Sequence, residues 1–270
     1  MTELPEIGLG TWQNEDPEQC AESVRTALEM GYRHVDTAEF YGNEDAVGEG
    51  IARANVDREE IFLATKVHPS ATGVAYEEVL EAAEKSRDRL GVESLDLLYV
   101  HWPTGEYDPE ETLPAFDELR ESGVIEHVGV SNFEPYNLDR ALDVLDAPLF
   151  ANQIEMHPLL PQPELREYAD EHDHHVVAYS PLARGDVFDV PEITEIAAKH
   201  GVSEAQVSLA WVRQKGAYPI PKATSEAHIR DNLANLDLEL DAEDVAAIDA
   251  IDRTERHIDF DSAPWHHRPE

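Results

Sequence analysis

The sequence predicts an α/β fold, a (β/α)8 TIM barrel with extra helices near the C-terminus. Short apolar runs rich in β-branched and aromatic residues alternate eight times with longer amphipathic stretches. Such alternation indicates parallel strands that are joined by right-handed helical crossovers. The length of 270 residues also suits the roughly 250 residues that one barrel of this kind needs.

The β-branched and aromatic runs predict strands at 7–11, 34–37, 61–67, 95–102, 127–131, 150–155, 176–180 and 217–221. The amphipathic stretches between them predict helices at 18–30, 43–53, 76–90, 109–121, 136–145, 163–172, 203–214 and 227–233. In the third of these helices, apolar Val79 and Ala83 lie on one side and charged Glu81 and Lys85 on the other. This pattern has the period near 3.6 that is typical of a helix with one buried face.

Two more helices fall outside the eightfold pattern. One is predicted at 191–200, directly before Ser203, which suits the N-cap of the next helix. The other is predicted at 242–252, with Asp241 in the N-cap position. The stretch 253–270 mixes Pro, His and Asp without periodicity, so we expect a surface tail there. Because no linker or repeat is visible, residues 1–270 are expected to form a single domain.

The chain is strongly acidic, with 58 Asp and Glu against 20 Lys and Arg and a formal net charge of −38. The acidic residues are spread along the whole length, which argues against nucleic acid or an anionic membrane as a partner. Only five of the basic residues are lysines. An acidic, lysine-poor surface is typical of halophilic proteins, because molar salt screens its self-repulsion. The alternative is an ordinary acidic mesophilic protein.

The composition predicts a soluble intracellular protein. Hydrophobic residues make up 41% of the chain, which is enough for a core. No apolar run approaches the roughly 18–20 residues that cross a bilayer, and the N-terminus shows no secretory signal. The single cysteine, Cys20, excludes an internal disulfide framework. We therefore expect a cytoplasmic protein that is a monomer or weak homo-oligomer.

Several common signatures of function are absent from the sequence. There is no GxGxxG after a strand, and no HExxH, paired CxxC or GxSxG. Two groups of histidines occur, at His172, His174 and His175 and at His266 and His267. We expect these side chains to be solvated, and no metal site is predicted.

Polar and aromatic residues collect at the ends of the predicted strands, where a barrel carries its chemistry. In chain order they are Trp12, Asp36 with Tyr41, Lys66, His101 with Trp102, Ser131, Asn132, Gln153, Tyr179, Ser180 and Lys222. Lys66 and Lys222 are two of the five lysines in a chain that has nearly eliminated this residue. Both are therefore expected to have specific anionic partners.

Asp36, Tyr41, Lys66 and His101 suit a proton donor with a tuned pKa. A cation at Lys66 would lower the pKa of the Tyr41 phenol, and Asp36 would keep that cation charged and in place. Tyr41 could then protonate a substrate oxygen that His101 polarises. Because no side chain is an obvious nucleophile, the carbon of that carbonyl would take a hydride from a bound cofactor.

The later strand ends carry donors and acceptors that suit a carboxamide, at Ser131, Asn132 and Gln153. Tyr179 could stack on a flat ring. Lys222 and Ser225 lie before the helix that carries Asn232, where charge and free backbone N–H groups suit a phosphate. For each residue alone, the alternative is an ordinary hydrogen bond at the barrel rim.

Eight segments carry a family pattern: GLGTW, HVDTAEFYGNE, LATKV, LDLLYVHWP, HVGVSNF, NQIEMHP, VVAYSPL and PIPKATS. In this order and spacing, over roughly residues 5–250, they resemble the aldo-keto reductases. DTAxxYGNE and GVSNF are the specific motifs, and the 2,5-diketo-D-gluconate reductase-like branch of prokaryotes is the most similar. The resemblance implies an enzyme that reduces aldehydes or ketones, such as keto-sugars and 2-oxoaldehydes, with NADPH as cofactor and NADH possible.

The resemblance also implies a role for each matching residue. Tyr41 would be the general acid, supported by Asp36, Lys66 and His101. The cofactor would contact Ser131, Asn132, Gln153, Tyr179, Ser180, Leu182, Lys222, Ser225, His228 and Asn232. The small-molecule carbonyl substrate would contact Trp12, Phe40, His68 and Trp102.

The chain departs from the family pattern at several positions. His228 and Ala223 stand where the family often has Arg and Ser near the 2′-phosphate. A largely neutral imidazole does not replace a bidentate guanidinium, so NADH use becomes more plausible. His68, where relatives often have an aromatic residue, suggests a more polar pocket wall. Only MTELPE precedes the first strand, too little for the usual hairpin at the barrel bottom, and the short C-terminal tail suggests a more open site.

A second hypothesis is a cofactor-sensing or regulatory barrel subunit with only residual reductase activity, since a fold alone does not define a function. The complete set of Tyr41, Lys66, Asp36 and His101 favours the enzyme, because a pure sensor would not need all four.

Overall fold

Eight parallel strands form one sheet whose order follows the chain. The structure, a computed structural model, describes residues 4–268. The strands are β1 (Leu9–Gly10), β2 (His34–Asp36), β3 (Phe62–Val67), β4 (Leu95–Val100), β5 (Ile125–Ser131), β6 (Leu149–Glu155), β7 (His175–Tyr179) and β8 (Ala217–Pro219). Gly8 N donates to Pro219 O at 3.0 Å and Gly10 pairs with Lys222, which joins β8 back to β1. The predicted (β/α)8 barrel is confirmed.

The helices within residues 4–268 surround this sheet and include two that interrupt the eightfold alternation. They are α1 (Pro17–Met30), α2 (Glu44–Arg53), α3 (Tyr76–Leu90), α4 (Pro109–Glu121), α5 (Pro135–Val144), α6 (Pro163–Glu171), α7 (Pro191–His200), α8 (Glu204–Gln214), α9 (Glu226–Leu233) and α10 (Ala242–Asp249). Shorter 3-10 turns cover Glu39–Tyr41, Arg58–Glu60, Ala183–Asp189, Ala234–Asp237 and Pro264–His266. None of these described helices is long and apolar enough to cross a membrane.

The two extra helices, α7 and α10, form where the sequence predicts them. Ser203 accepts a hydrogen bond from Gln206 N at 3.1 Å and caps α8. Asp241 accepts from the backbone N–H groups of Glu243 and Asp244 and caps α10. Both capping predictions are confirmed, because each side chain satisfies N–H groups that the first turn of a helix leaves free. The predicted end of α10 at 252 is three residues too late.

The predicted strands at the closure of the barrel are too long, since β1 covers two residues and β8 three. Pro219 and Pro221 have no backbone N–H, so they cannot donate along a ladder. Their carbonyl oxygens still accept from Gly8 and Gly10 of the first strand region, at 3.0 and 3.2 Å. The seam between β8 and β1 is therefore held by few bonds, and it lies beside Lys222.

The core of the barrel is apolar because parallel strands are buried on both faces. All six residues of β3 are buried, from Phe62 to Val67. Inside the barrel, Leu4 packs in the same cluster as Phe62, Tyr99 and Ile220. Lys66 is the one charged residue of β3, and its side chain is 0% exposed. A buried ammonium costs free energy unless it is paired, so its partner matters for the site above.

The bottom of the barrel is closed by a row of rings at the starts of the strands. These rings belong to His34, Phe62, His127, Phe150, His175 and Tyr218. His127 stacks on Phe150 with centroids 4.0 Å apart. Burial lowers the pKa of His34 to about 4, so its imidazole is neutral at physiological pH. The N-terminal stretch MTELPE was expected to be too short for a hairpin at this end of the barrel. Its residues 1–3 lie outside the described residues.

The segment after α10 lies against the mouth of the barrel. Many of its side chains are exposed, but its backbone is bound to the end of β6. The N–H groups of His257 and Ile258 donate to the two carboxylate oxygens of Glu155, at 2.7 and 2.9 Å. Ile258 and Phe260 consequently line the cavity at the barrel mouth. The segment forms one wall of the site because Glu155 provides two buried acceptors for its backbone.

Candidate active site

The C-terminal ends of the strands surround a cavity of about 750 Å³. The predicted site residues that line it are Trp12, Asp36, Phe40, Tyr41, His68, His101, Trp102, Ser131, Asn132, Gln153, Tyr179, Ser180, Leu182 and Lys222. Lys66 lies buried beneath them and contacts Asp36. Ser225, His228 and Asn232 do not line the cavity. Ser225 and His228 are exposed at the start of α9, and Asn232 is buried further along that helix.

Lys66 and Asp36 form a buried ion pair under the cavity. Lys66 Nζ lies 2.5 Å from Asp36 Oδ1 and donates to the carbonyl oxygen of Thr37 at 2.7 Å. The second carboxylate oxygen of Asp36 accepts from Gln153 Nε2 at 2.7 Å. Burial lowers the pKa of Lys66, and the charge of Asp36 partly offsets this effect. The expectation of a specific anionic partner for Lys66 is confirmed.

Tyr41 lies directly above this pair. It ends the 3-10 turn after β2, and Gly42 continues the chain with a φ of 66°, a conformation that favours glycine. Lys66 Nζ is 5.1 Å from the centroid of the Tyr41 ring. Burial raises the pKa of Tyr41 well above its usual range, and the negative charge of Asp36 adds to this. The expected lowering of this pKa is therefore wrong for the protein without a ligand, and Tyr41 is a protonated phenol at neutral pH.

His101 follows β4 and faces Tyr41 across the cavity, with ring centroids 5.7 Å apart. Burial lowers the pKa of His101 well below its usual range, and the charge of Lys66 acts in the same direction. The imidazole is therefore neutral at physiological pH. Its Nδ1 is buried without a hydrogen-bond partner among the described residues, so Nε2 is the atom that can contact a molecule in the cavity. A neutral donor there can polarise an oxygen without competing with Tyr41 for the proton.

The next strand ends form a hydrogen-bonded network. Asn132 follows β5 with a φ of 63°, a left-handed conformation that Asn tolerates better than most residues. Its Nδ2 donates to the carbonyl oxygen of His101 at 3.0 Å, and its Oδ1 accepts from Tyr179 OH at 2.8 Å. Ser131 Oγ donates to Gln153 O at 2.8 Å. These contacts fix the amide and hydroxyl groups in place before any ligand arrives.

Aromatic pairs form the walls of the cavity. Phe40 stacks on His68 with centroids 4.2 Å apart, and burial lowers the pKa of His68 to about 4. The His68 side chain therefore makes the pocket wall more polar only as an uncharged imidazole, not as a cation. On the other side, Trp102 meets Phe260 of the C-terminal segment at 4.8 Å. Sequence reasoning missed Phe260, because the tail that carries it has no periodicity.

Two cations that line the cavity, Arg184 and Lys222, lack an acidic partner among the described residues. Most lysine and arginine side chains in residues 4–268 lie within 4.0 Å of a carboxylate. Over the same residues, neither Arg184 nor Lys222 forms such an ion pair, and the other cations without one, Arg87, Arg120, Arg166 and Arg256, do not line the cavity. Arg184 instead lies 4.4 Å above the Trp12 ring, and Arg256 lies 3.9 Å above Trp265. In so acidic a chain, unpaired cations around one cavity favour an anionic ligand there.

Arg184 is the cation that sequence reasoning missed. It follows the YSPL segment in a 3-10 turn and has a φ of 51°. The sequence did offer one signal for Arg184: basic residues are few in this chain, so each one that remains is a candidate for a specific role. The expected anionic partner of Lys222 is not found among the described residues, which leaves its ammonium free for a ligand.

The barrel places a tyrosine and a neutral histidine above a buried lysine–aspartate pair, an arrangement that suits proton transfer to a carbonyl oxygen. Residues 6–253 match the sequence profile of the Aldo/keto reductase family. The chain belongs to that family.

Comparison with individual proteins places the chain close to DkgB-type members. It is 41% identical to "Glyoxal reductase" of Bacillus subtilis (strain 168) over 254 residues, which cover 94% of this chain and 91% of that protein. It is 36% identical to "Methylglyoxal reductase DkgB" of Escherichia coli O157:H7 over 258 residues, covering 94% and 96%. A crystal structure described as a putative 2,5-diketo-D-gluconic acid reductase B superimposes with a TM-score of 0.92 at 32% identity, covering 97% and 93%.

Proposed function

We propose that this protein reduces small aldehydes and ketones, above all 2-oxoaldehydes and keto-sugars, with NADPH. The observation that carries the proposal is the position of Tyr41 at the floor of the cavity. The centroid of its ring lies 5.1 Å from Lys66 Nζ, and the ring lies beside His101. The relatives named as glyoxal and methylglyoxal reductases support the substrate class. The aromatic walls suit a short carbonyl compound.

Tyr41 and His101 are proposed to hold the substrate oxygen between them. Tyr41 donates its proton as the oxygen gains negative charge, and His101 Nε2 donates a hydrogen bond to the same oxygen. The phenolate that Tyr41 becomes is stabilised by Lys66, which Asp36 holds in place. NADPH, when bound, supplies a hydride for the carbonyl carbon. Alcohol oxidation uses the same residues in reverse.

The cavity fits such a cofactor in its donor set. Ser131, Asn132 and Gln153 carry the groups that a carboxamide requires, and Tyr179 presents a ring at the same rim. The free cations Arg184 and Lys222 suit phosphate groups. We assign the 2′-phosphate region to α9, with Ser225 and His228 at its start and Asn232 further along, because this helix follows Lys222 in the chain.

His228 is expected to limit the preference for NADPH. Changing His228→Arg adds a fixed charge and a bidentate fork, and a hydrogen bond to a charged group contributes about 1.5–3 kcal/mol. We therefore expect the ratio of kcat/KM for NADPH over NADH to rise about tenfold or more. The measurement is initial rates with methylglyoxal and each cofactor. His172→Arg, which adds the same group at the end of α6, is the matched control.

The same assay tests the proposed function itself. Turnover of methylglyoxal or a keto-sugar with either cofactor supports it. Tight binding of NADPH without turnover of any aldehyde, ketone or keto-sugar would instead favour the cofactor-sensing barrel.

We also propose that the protein works in the cytoplasm of a cell with high internal salt. The net charge of −38 leaves many more carboxylates than the ion pairs can use. Mutual repulsion of these carboxylates destabilises the folded state, and at 1 M salt the screening length is only about 3 Å.

The melting temperature is accordingly expected to rise by several degrees or more between 0.1 and 3 M KCl. Over about this range of salt concentration, the screening of the surface carboxylates becomes complete. Differential scanning fluorimetry measures it, with sorbitol of equal osmolality as the uncharged control. A melting temperature that does not change with KCl, or one that sorbitol raises as much, contradicts this proposal.

A further inference from the structure

A cluster of metal-ligating side chains lies outside the proposed mechanism, where β6 meets the C-terminal segment. Glu155, His157 and His257 each place a ligand atom so that the three atoms lie within 4.8 Å of one another. The side chains of Glu155 and His157 are 0% exposed, and that of His257 is 16% exposed. The cluster therefore joins the barrel to the segment that forms a wall of the cavity.

Two imidazole nitrogens in this cluster lack a partner. His157 Nδ1 and His257 Nε2 are buried and form no hydrogen bond with the described residues. His157 Nε2 lies 3.1 Å from Glu155 Oε1, so only one side of that ring is satisfied. Buried polar atoms without a partner are rare and costly in native proteins. A bound ion is one way to give an unpartnered nitrogen in this cluster a partner.

The protonation states suit ligation. Burial lowers the pKa of His157, which keeps its imidazole neutral and its nitrogen lone pair available. Burial opposes ionisation of Glu155, but hydrogen bonds from His157 and from the backbone of His257 and Ile258 outweigh it and lower the pKa of that carboxyl. Two imidazoles and one carboxylate form a ligand set that zinc binds in many proteins.

We propose that Glu155, His157 and His257 bind one divalent transition-metal ion of the zinc class, which ties the C-terminal segment to the barrel. Zinc ligands lie about 2.0–2.2 Å from the ion, so the three ligand atoms must move closer together by about 1 Å. His257 can make this adjustment because it lies outside the helices and strands. Asp186 Oδ2, 3.7 Å from His257 Nε2, is placed to complete the shell as a further oxygen ligand.

The site differs from the histidine groups that are visible in the sequence. His172, His174 and His175 lie around the start of β7, at the opposite end of the barrel, and His266 pairs with Asp259 at the surface. Because Glu155 and His257 are far apart in sequence, no short motif marks the site. Its occupancy fixes the neighbouring Ile258, which lines the cavity.

Zinc binding by the full, untagged chain tests the proposal without any measurement of turnover. The protein is freed of metal with a chelator and titrated with Zn²⁺ by calorimetry in excess Mg²⁺, which occupies surface carboxylates. We expect one Zn²⁺ per chain, a higher melting temperature that a chelator reverses, and a visible absorption spectrum of nitrogen-ligated Co²⁺ in the same site.

The variant His257→Ala identifies the ligands. Its zinc affinity is expected to fall by about 100-fold or more, since loss of even an outer-shell partner costs about 10–100-fold. His266→Ala removes a tail imidazole outside the cluster and should bind zinc as the unchanged chain does. His257 is partly exposed, so both variants should fold, and circular dichroism without metal checks this. Absence of saturable binding, or equal binding by His257→Ala, overturns the proposal.

Discussion

Replacing Tyr41 with phenylalanine is expected to lower kcat by about 10²–10⁴-fold, the usual contribution of a general acid. The change removes one hydroxyl group and leaves the ring that Lys66 and His101 contact. Since the phenol is protonated at neutral pH, its loss removes the proton donor rather than a base. Cofactor affinity should be retained, because the proposed cofactor contacts lie on β5 to β8 and beyond. Steady-state rates with methylglyoxal and NADPH fluorescence titration measure the two effects separately.

Tyr168→Phe is the matched control for this substitution. Tyr168 also loses one hydroxyl, which bonds Asp139 at 2.7 Å on the outside of the barrel, far from the cavity. Its kcat should equal that of the unchanged protein. If Tyr41→Phe retained normal turnover, Tyr41 would not be the acid and the proposed mechanism would fail.

The positions of Asp36, Tyr41, Lys66 and His101 could be predicted because each lies at a fixed place relative to a strand. Asp36 and Lys66 are on neighbouring strands, and parallel strands bring their C-terminal ends to one rim. The apolar pattern identifies the strands, so a polar residue at the end of one is recognisable. The same reasoning placed the lining residues from Trp12 to Lys222 around one cavity.

The electrostatics of the site could not be predicted from residue types. The charge of Lys66 favours a phenolate at Tyr41, while burial and Asp36 favour the phenol, and only the structure shows that the second influence is larger. A desolvation penalty depends on the atoms that surround a group, and the chain order does not contain that information.

The wall that contains Phe260 escaped prediction for a different reason. The segment 253–268 has no periodic pattern, and what holds it is a pair of backbone N–H groups on Glu155, more than 100 positions earlier. Contacts between a side chain and a distant backbone carry no signature in either segment. The proposed zinc site shares this difficulty, since it depends on the same contact.

Replacing Lys66 with methionine is expected to reduce the free energy of unfolding by about 3–5 kcal/mol, the cost of leaving one charge of a buried pair without its partner. The carboxylate of Asp36 would retain only Gln153 as a hydrogen-bond donor. Turnover should also fall, by about 10²-fold or more, because a preorganised charge near a developing anion contributes about that much. Urea unfolding followed by circular dichroism gives the stability of each variant, and rates at low temperature give its activity.

The double variant Asp36→Asn with Lys66→Met separates the two roles of the pair. It removes both buried charges and keeps their shapes, so most of the lost stability should return. Turnover should remain low, because the phenolate that Tyr41 forms during reduction would still have no cation within 5.1 Å of its ring. If activity returned together with stability, Lys66 would serve the fold alone, and Tyr41 would need another source of stabilisation. If Lys66 stabilises the Tyr41 phenolate during reduction, the double variant should recover stability but not activity.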